Sequence, residues 1–289
     1  MTIHEASQQL RFQLFHMYDE REAGNITELV MENITGWRRI DRVVNKTALL
    51  SATQAQLLAS YTQALLDNTP VQYVLHEAWF GDMCLFVDEN VLIPRPETEE
   101  LADWLIKDTR HLKLRTGVSE KNMVLDIGTG SGCIPLVIKK NLPLIEMHSC
   151  DISEAALQVA KKNAVDQKLD IHFHLLDILS VKERNPLPLF DFIISNPPYI
   201  PNNNKSLMSA NVLQHEPHLA LFVEDNDPLL FYKAIADFAA THLTSNGSIY
   251  LEIHEDTGDA VTNLYKQKGF TAIERRKDLQ GKDRMIKVT

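Results

Sequence analysis

The stretch "VLDIGTGSG", residues 124–132, decides the fold of this chain. An apolar, strand-like run ends in Asp126 and turns through three glycines into the helical pattern "CIPLVIKK", residues 133–140. Glycine allows tight turns and lets the backbone approach a ligand closely. A strand, a glycine-rich turn and a helix in this order are typical of doubly wound α/β domains that bind nucleotide-like ligands.

The spacing of the glycines narrows the class of ligand. A dinucleotide fingerprint reads G-x-G-x-x-G and presents a helix N-terminus to a pyrophosphate, whereas this loop reads G-x-G-x-G behind Asp126. A carboxylate there would repel a pyrophosphate, which disfavours an NAD-dependent oxidoreductase. It suits S-adenosylmethionine, which carries an ammonium and a sulfonium. Besides Asp126, the predicted cofactor contacts in the loop are Gly128, Thr129, Gly130, Ser131 and Gly132.

The chain around this loop alternates strands and helices from residue 122 onward. Helical patterns separate the predicted strands, and the last two strands form a pair around Gly281. Repeated βα units predict a Rossmann-like, doubly wound and mostly parallel sheet of seven strands. The predicted strands are "MVLDIG", "EMHSCDIS", "IHFHLLDI", "FDFIISN", "GSIYLEIH", "FTAIERRKD" and "DRMIKVT".

Two further acids follow predicted strands. Asp151 lies about 20 residues past the glycines, where an acid commonly binds ribose hydroxyls, and Asp177 ends the third strand. Ligands in such sheets lie outside the carboxyl ends of the strands. We therefore predict that Asp151 binds the ribose and Asp177 the adenine amino group. The alternative for each is a helix N-cap or a solvated turn.

The stretch "SNPPYIP", residues 195–201, ends the fourth strand. Two prolines fix the backbone and remove two donors. The side-chain carbonyl of Asn196 and the backbone carbonyl of Pro197, held by Pro198, can accept the two hydrogens of an amino or amide group. Tyr199 can pack flat against that group. We predict that Asn196, which can also touch the cofactor, acts with Pro197 and Tyr199 in methyl transfer. The alternative is a rigid turn.

The sequence pattern predicts three regions. They are a helical bundle (residues 1–75), a β-hairpin linker (76–96) and the catalytic domain (97–289). Four amphipathic segments carry the bundle, with N-caps expected at Ser7, Thr27 and Thr53. These segments are "SQQLRFQLFHMY", "NITELVMENI", "VVNKTALL" and "TQAQLLASYTQALLDN".

The charge, the apolar runs and the cysteines of the chain exclude several classes of protein. The formal net charge is −10, which argues against tight binding to a phosphate backbone. The N-terminus has no signal pattern, no apolar run reaches a membrane span, and the three cysteines form no CxxC pair. A cytoplasmic protein with reduced thiols is expected.

The histidines predict no metal site. His172 and His174 alternate on a predicted strand without a third ligand at metal spacing, so ordinary sheet residues are expected. His215 and His218 lie in "HEPHLALF", which is expected to form a loop over the substrate cleft.

Six motifs spread over nearly the whole chain carry a family resemblance. They are "PVQYVLHEAWF", "VLIPRPETEEL", "VLDIGTGSGCI", "SNPPYIP", "HEPHLALF" and "DLQGKDRMIKV". With them the chain resembles the N5-glutamine methyltransferases that modify peptide chain release factors. The resemblance implies S-adenosylmethionine as cofactor and the glutamine of the Gly-Gly-Gln motif in class I release factors as substrate.

The resemblance also assigns regions. It implies that the N-terminal bundle docks the release factor, that Ile178 contacts the adenine, and that Asn196–Tyr199 hold the glutamine. Arg95 and Glu97 lie in the linker motif, where a role in closing the site and a purely structural role are both open.

Two other functions compete with this reading. A nucleic-acid methyltransferase acting on N6 of adenine or N2 of guanine would share the Asn-Pro-Pro-Tyr motif, but the acidic charge disfavours it. A non-catalytic protein that binds S-adenosylmethionine is disfavoured by the intact motif.

Overall fold

The computed structural model of the protein describes residues 1–116, 122–184 and 186–289. The chain forms two compact units. The smaller consists of Met1–Glu77 with Ser209–His215, and the larger of Ala78–Met208 with Glu216–Thr289. No helix within the described ranges is long and apolar enough to cross a membrane.

Helices and strands alternate along most of the larger unit, and the smaller unit is built from helices. The helices are α1 (Ile3–Leu14), α2 (Glu20–Thr35), α3 (Arg39–Val44), α4 (Ala52–Leu66), α5 (Val71–Leu75), α6 (Pro96–Thr116), α7 (Cys133–Asn141), α8 (Glu154–Gln167), α9 (Val181–Arg184), α10 (Ala210–His215), α11 (His218–Leu221), α12 (Leu230–His242) and α13 (Gly258–Gln267). The strands are β1 (Ala78–Phe80), β2 (Met83–Leu85), β3 (Met123–Ile127), β4 (Glu146–Asp151), β5 (His172–Leu175), β6 (Phe190–Ser195), β7 (Ile200–Pro201), β8 (Phe222–Val223), β9 (Leu243–Glu252), β10 (Ile273–Lys277) and β11 (Asp283–Val288). A 3₁₀ helix, Asn202–Leu207, follows β7.

The helices of the smaller unit begin earlier than the sequence predicted. The observed N-caps are Thr2, Asp19 and Ser51, and Thr2 and Ser51 form capping boxes with Glu5 and Gln54. Capping boxes satisfy backbone donors reciprocally and so fix the start of a helix. The caps predicted at Ser7, Thr27 and Thr53 were therefore wrong, because all three residues lie inside helices.

The segment "VVNKTALL" was also predicted as a helix, and only its first two residues lie in α3. The rest turns and forms an antiparallel bridge between Thr2 and Leu49, supported by the amide of Ile3 donating to the carbonyl of Ala48 at 2.9 Å. A backbone pairing between residues far apart in the chain produces no repeating pattern of apolar residues, so the sequence could not predict it.

The seven-stranded sheet of the larger unit has the order β10-β11-β9-β6-β3-β4-β5. The five strands from β9 to β5 pair in parallel, and β10 and β11 add antiparallel at the other edge. This confirms the predicted fold class. The strand order reverses at β3, which is flanked by β4 and β6. The carboxyl end of β3 is therefore the topological switch point, where ligands bind in such sheets.

Two apolar layers hold this sheet. Buried side chains of α6 and α7, with Phe80, Met83 and Leu85 of the β1–β2 hairpin, cover one face. Buried side chains of α12 and α13 cover the other face. The hairpin turns at Gly81, where φ is +59°, a conformation that favours glycine.

Candidate active site

A cavity opens at the carboxyl ends of β3, β4 and β6 and beside the segment after β5. Most of the site residues predicted from sequence line it. They are Gly128, Thr129, Gly130, Ser131, Asp151, Asp177, Ile178, Asn196, Pro197 and Pro198. The structure does not place Asp126, Gly132 or Tyr199 on the wall of this cavity.

The three glycines of the loop have two different roles: two leave space for a ligand and one allows close packing. Gly128, Gly130 and Gly132 all have positive φ, between +53° and +82°. A Cβ at Gly128 or Gly130 would meet no protein atom within 4 Å, whereas one at Gly132 would lie 3.2 Å from the Cβ of Ala160 on α8. The first two glycines thus form a cradle open to a ligand, and Gly132 permits close packing of α8.

Asp151 ties this loop to the end of β4. Its Oδ2 accepts from the amide of Gly130 and its Oδ1 from the amide of Ser153, both at 2.9 Å. The N-cap of α8 is Ser153 and not Asp151, because the Ser153 hydroxyl accepts from the amide of Ala156. Burial raises the pKa of Asp151. Each carboxylate oxygen keeps a further lone pair that can accept a ligand hydroxyl.

Asp126 lies fully buried behind the cavity wall. Its Oδ2 accepts from the hydroxyl of Ser149 at 2.9 Å, and its Oδ1 has no hydrogen-bond partner among the described residues. Burial raises the pKa of Asp126 to about 7. The hydroxyls of Thr129 and Ser131 are likewise buried without a partner in the described part of the chain. The carboxyl group of Asp126 behind the wall favours a cationic ligand over a phosphate, whereas the two hydroxyls can either donate or accept.

The segment after β5 forms the next part of the wall. Oδ1 of Asp177 accepts from the amide of Leu179 at 2.8 Å, and the side chain of Ile178 is buried. Phe231 at the start of α12 is the one aromatic among the described lining residues. It lies outside every motif noted in the sequence, so sequence reasoning had no signal for it.

At the opposite end of the cavity, the amide of Asn196 is held in one orientation. Its Nδ2 donates to Oγ1 of Thr98 at 3.0 Å, and the hydroxyl of Thr98 donates to Oε2 of Glu252 at 2.6 Å. A threonine hydroxyl has a single hydrogen. Because Thr98 gives that hydrogen to the carboxylate, its oxygen must accept from Asn196, and Oδ1 of Asn196 remains as the acceptor.

Glu252 is the buried anchor of this network. Its Oε1 accepts from the hydroxyl of Tyr199 at 3.1 Å. Burial raises the pKa of Glu252 to about 6, although the hydroxyls of Thr98 and Tyr199 act to lower it. Tyr199 was predicted to lie on the substrate, and here its hydroxyl binds Glu252 while its ring centroid lies 6.0 Å from that of His254.

Sequence reasoning missed both Thr98 and Glu252. Thr98 lies in the quoted "VLIPRPETEEL" motif, which was the one available signal for it. Glu252 is a lone acid in the apolar strand pattern "IYLEI". A single buried charge among strand residues is rare unless it is paired, and that rule could have selected it.

An ion pair joins two segments of the cavity wall. The guanidinium of Arg95 lies 2.6 Å from Oε1 of Glu216, whose side chain is 1% exposed. Oε2 of Glu216 accepts from the amide of Ile93 at 3.3 Å. The pair joins the segment before α6 to the segment around α11, and both segments line the cavity. Glu97 and His218 do not line it.

Asn163 on α8 is a further residue that the sequence did not reveal. Its amide donates to the carbonyls of Phe86 and Ser131 at 2.9 Å, and its Oδ1 accepts from the amide of Phe86 at 2.7 Å. This buried side chain therefore fixes the last part of the glycine loop against the segment after β2.

These features together define a class of protein. An open glycine cradle, a strand-end acid and an oriented asparagine beside two prolines lie on a parallel sheet closed by an antiparallel pair. They are the features of a class I methyltransferase that uses S-adenosylmethionine.

Comparisons with known proteins agree. The profile of the methyltransferase small domain matches residues 109–221, and that of the PrmC N-terminal domain matches residues 3–75. The release factor glutamine methyltransferase of Flavobacterium psychrophilum is 42% identical over 95% of this chain and 94% of its own length. That of Bacteroides thetaiotaomicron is 35% identical over 96% of each chain. The chain belongs to the release factor glutamine methyltransferase family.

Solved structures show the same fold at low identity. The hMettl16 catalytic domain, solved in complex with MAT2A 3'UTR hairpin 6, has a TM-score of 0.55 at 16% identity and covers 83% of this chain and 82% of its own. Human methyltransferase 10 domain containing protein has a TM-score of 0.51, also at 16% identity, and covers 82% of this chain and 96% of its own. The resemblance to the family is confirmed, and S-adenosylmethionine is the methyl donor.

Proposed function

We propose that this chain methylates the side-chain amide nitrogen of the glutamine in the Gly-Gly-Gln motif of class I peptide chain release factors. The single observation that carries the proposal is the orientation of Asn196. One N–H of Asn196 donates to Oγ1 of Thr98, and Asn196 lines the cavity, so Oδ1 is the acceptor that this fixed amide can offer to a substrate. An acceptor is what a substrate NH₂ group requires.

The chemistry demands positioning more than a strong base. An amide nitrogen is a poor nucleophile because its lone pair is delocalised. Two acceptors, Oδ1 of Asn196 and the backbone carbonyl of Pro197, would bind the two N–H groups and hold the nitrogen in line with the methyl group. S-adenosylmethionine supplies that methyl group on a sulfonium centre when bound. Preorganised acceptors of this kind stabilise the positive charge that develops on nitrogen.

The cofactor would lie along the glycine cradle. We assign Asp151 to the ribose hydroxyls, Asp177 to the adenine amino group and Ile178 with Phe231 to the adenine faces. Asp126 would act at longer range on the ammonium group, since its carboxyl lies behind the wall and not on it. Gly132 would support the loop through its packing on α8.

The helical unit would dock the release factor. Ile40, Val43 and Val44 lie at helical spacing on α3 and are 66%, 60% and 74% exposed. Residues three and four apart share a helix face, so these side chains form an apolar stripe. A lone glutamine offers too little contact area for selection, and a second surface on the substrate protein would supply it.

One labelling experiment tests the function. The full chain is incubated with methyl-labelled cofactor and an intact release factor, a release factor with its motif glutamine replaced by glutamate, or structured RNA. We expect label on the motif glutamine of the first substrate and none on the others, with its position found by peptide mass spectrometry. Label on RNA would instead establish the competing nucleic-acid function.

A pair of matched variants tests the docking surface. Val44→Asp should raise KM for intact release factor about fivefold or more, without changing KM for the cofactor. Val165→Asp is the control, because Val165 on α8 is equally exposed at 75%. Equal effects of the two variants would refute docking through α3.

We propose a cytoplasmic location, where the substrate protein acts. The three cysteines, Cys84, Cys133 and Cys150, form no disulfide with one another, as expected for a reducing compartment.

A further inference from the structure

A cluster of histidines lies on the sheet beside the catalytic cavity but outside its lining. Strands β4 and β5 pair in parallel with His148 opposite His172 and Cys150 opposite His174. Side chains two residues apart in a strand share a face, so Glu146 lies on the same face as His148. None of Glu146, His148, His172 and His174 is among the residues that line the cavity.

The spacing of the donor atoms is that of a metal site. One ligand atom each from Glu146, His148 and His172 lies within 4.8 Å of the other two. Tetrahedral zinc with bonds of about 2.0–2.2 Å holds its ligand atoms about 3.4 Å apart. The ligand atoms must therefore move closer together by about 1.4 Å or less on metal binding. Glu146 is half-buried and His172 is exposed, so these two side chains can move, while His148 is buried and fixed.

The hydrogen bonds of His148 prepare one ring nitrogen for a metal. Its Nε2 lies 3.2 Å from Oε1 of Glu146, and its Nδ1 lies 2.9 Å from Nε2 of His174. When a cation binds Nε2 of His148, the proton of that nitrogen is replaced and Nδ1 of His148 becomes the protonated nitrogen, which donates a hydrogen bond to Nε2 of His174. The proton of His174 then lies on Nδ1 of His174. Two protons are present before and after. Metal-bound histidines usually donate their second N–H in this way.

We propose that Glu146, His148 and His172 bind a divalent transition metal of the zinc class, with His174 orienting His148. Two imidazoles and a carboxylate suit zinc, cobalt or nickel, whereas magnesium and calcium prefer oxygen ligands alone. The site joins the edge strand β5 to β4, so metal binding stabilises the sheet at that edge.

The sequence alone gave the opposite expectation. It showed two histidines on one strand without a third ligand at metal spacing. The pairing of β4 with β5 supplies Glu146 and His148 from a segment more than twenty residues earlier, a proximity that spacing along the chain does not encode.

Zinc titration of the full chain tests the proposal. Untagged protein, freed of metal with a chelator, is titrated in competition with a chromophoric zinc indicator of micromolar affinity. We expect one equivalent to bind and the melting temperature to rise with zinc. His172→Ala and Glu146→Gln should abolish that equivalent and the thermal shift. His174→Ala should weaken binding about 10- to 100-fold. His4→Ala, which removes an exposed histidine of α1, should bind zinc as the unmodified chain does.

Cobalt substitution identifies the ligands independently. Histidine and carboxylate ligands give visible d–d bands without the intense near-ultraviolet charge-transfer band of a thiolate. A thiolate band, stoichiometric binding that survives in His172→Ala, or no stoichiometric binding in the unmodified chain would each overturn the proposal.

Discussion

The two ends of the catalytic cavity are built in different ways. At the cofactor end, backbone amides of one short loop are held by the adjacent strand, as in the bond from Gly130 to Asp151, 21 residues apart. At the acceptor end, three side chains from distant segments meet. Thr98 is 98 residues from Asn196 and 154 from Glu252. The first end requires only the pairing of two strands that are neighbours in the sequence, whereas the second requires segments up to 154 residues apart to meet.

This difference predicts separable defects. Changes at the acceptor end should lower the rate of methyl transfer and spare cofactor binding, and changes at the cofactor end should do the reverse.

Asn196→Ala should lower kcat about 100- to 1,000-fold, the usual cost of removing one preorganised group at a reacting centre. A modest loss of cofactor affinity is compatible with this. Methylation assays give the rate and calorimetry gives the affinity. Asn203→Ala, an exposed asparagine in the following 3₁₀ helix, is the control. Full turnover in Asn196→Ala would remove the residue from the reaction.

Asp151→Ala should weaken cofactor binding by about 1–3 kcal/mol, because the amides of Gly130 and Ser153 lose their acceptor and the cofactor loses a charged partner. KM for the cofactor should rise more than kcat falls. Asp170→Ala, at an exposed aspartate, provides the comparison. Unchanged affinity would make Asp151 a turn residue without a ligand role.

Thr98→Val should lower kcat about tenfold. Valine keeps the shape of the side chain, but the N–H of Asn196 loses its acceptor and the carboxylate of Glu252 loses a donor. Thr98→Ser keeps the hydroxyl and should recover most of the rate. If valine and serine behave alike, the hydroxyl does not orient Asn196. Cofactor affinity, measured in parallel, should stay constant in both variants.

The pH dependence of kcat tests Glu252. Its pKa is raised to about 6, chiefly by burial, so the carboxylate that accepts from Thr98 and Tyr199 is lost as the pH falls through that value. We expect kcat to decline on the acid side and to be constant above it. Glu252→Gln cannot titrate, so its kcat should be lower at neutral pH and should not show this decline. An acid limb that persists in Glu252→Gln would assign the titration to another group.

Elements that depend on local constraints could be predicted from the sequence. The turn through Gly128 and Gly130, the rigid prolines after Asn196 and the apolar runs of the buried strands all follow from neighbouring residues, and the predicted sheet was confirmed. Helix starts were less certain, since several hydroxyl residues compete for each cap and only the capping boxes at Thr2 and Ser51 distinguish them.

Which distant side chains meet could not be predicted from the sequence and depends on the folded chain. The tertiary structure placed Asp126 behind the wall, joined Thr98 and Glu252 to Asn196, and gathered Glu146 and His148 beside His172. The physical reason is that a buried hydrogen bond or metal site needs atoms a few ångströms apart, and strand order and register set that distance. The spacing of residues along the chain determines which face of a strand or helix each side chain lies on. The order and register of the strands determine which residue lies beside it on the neighbouring strand.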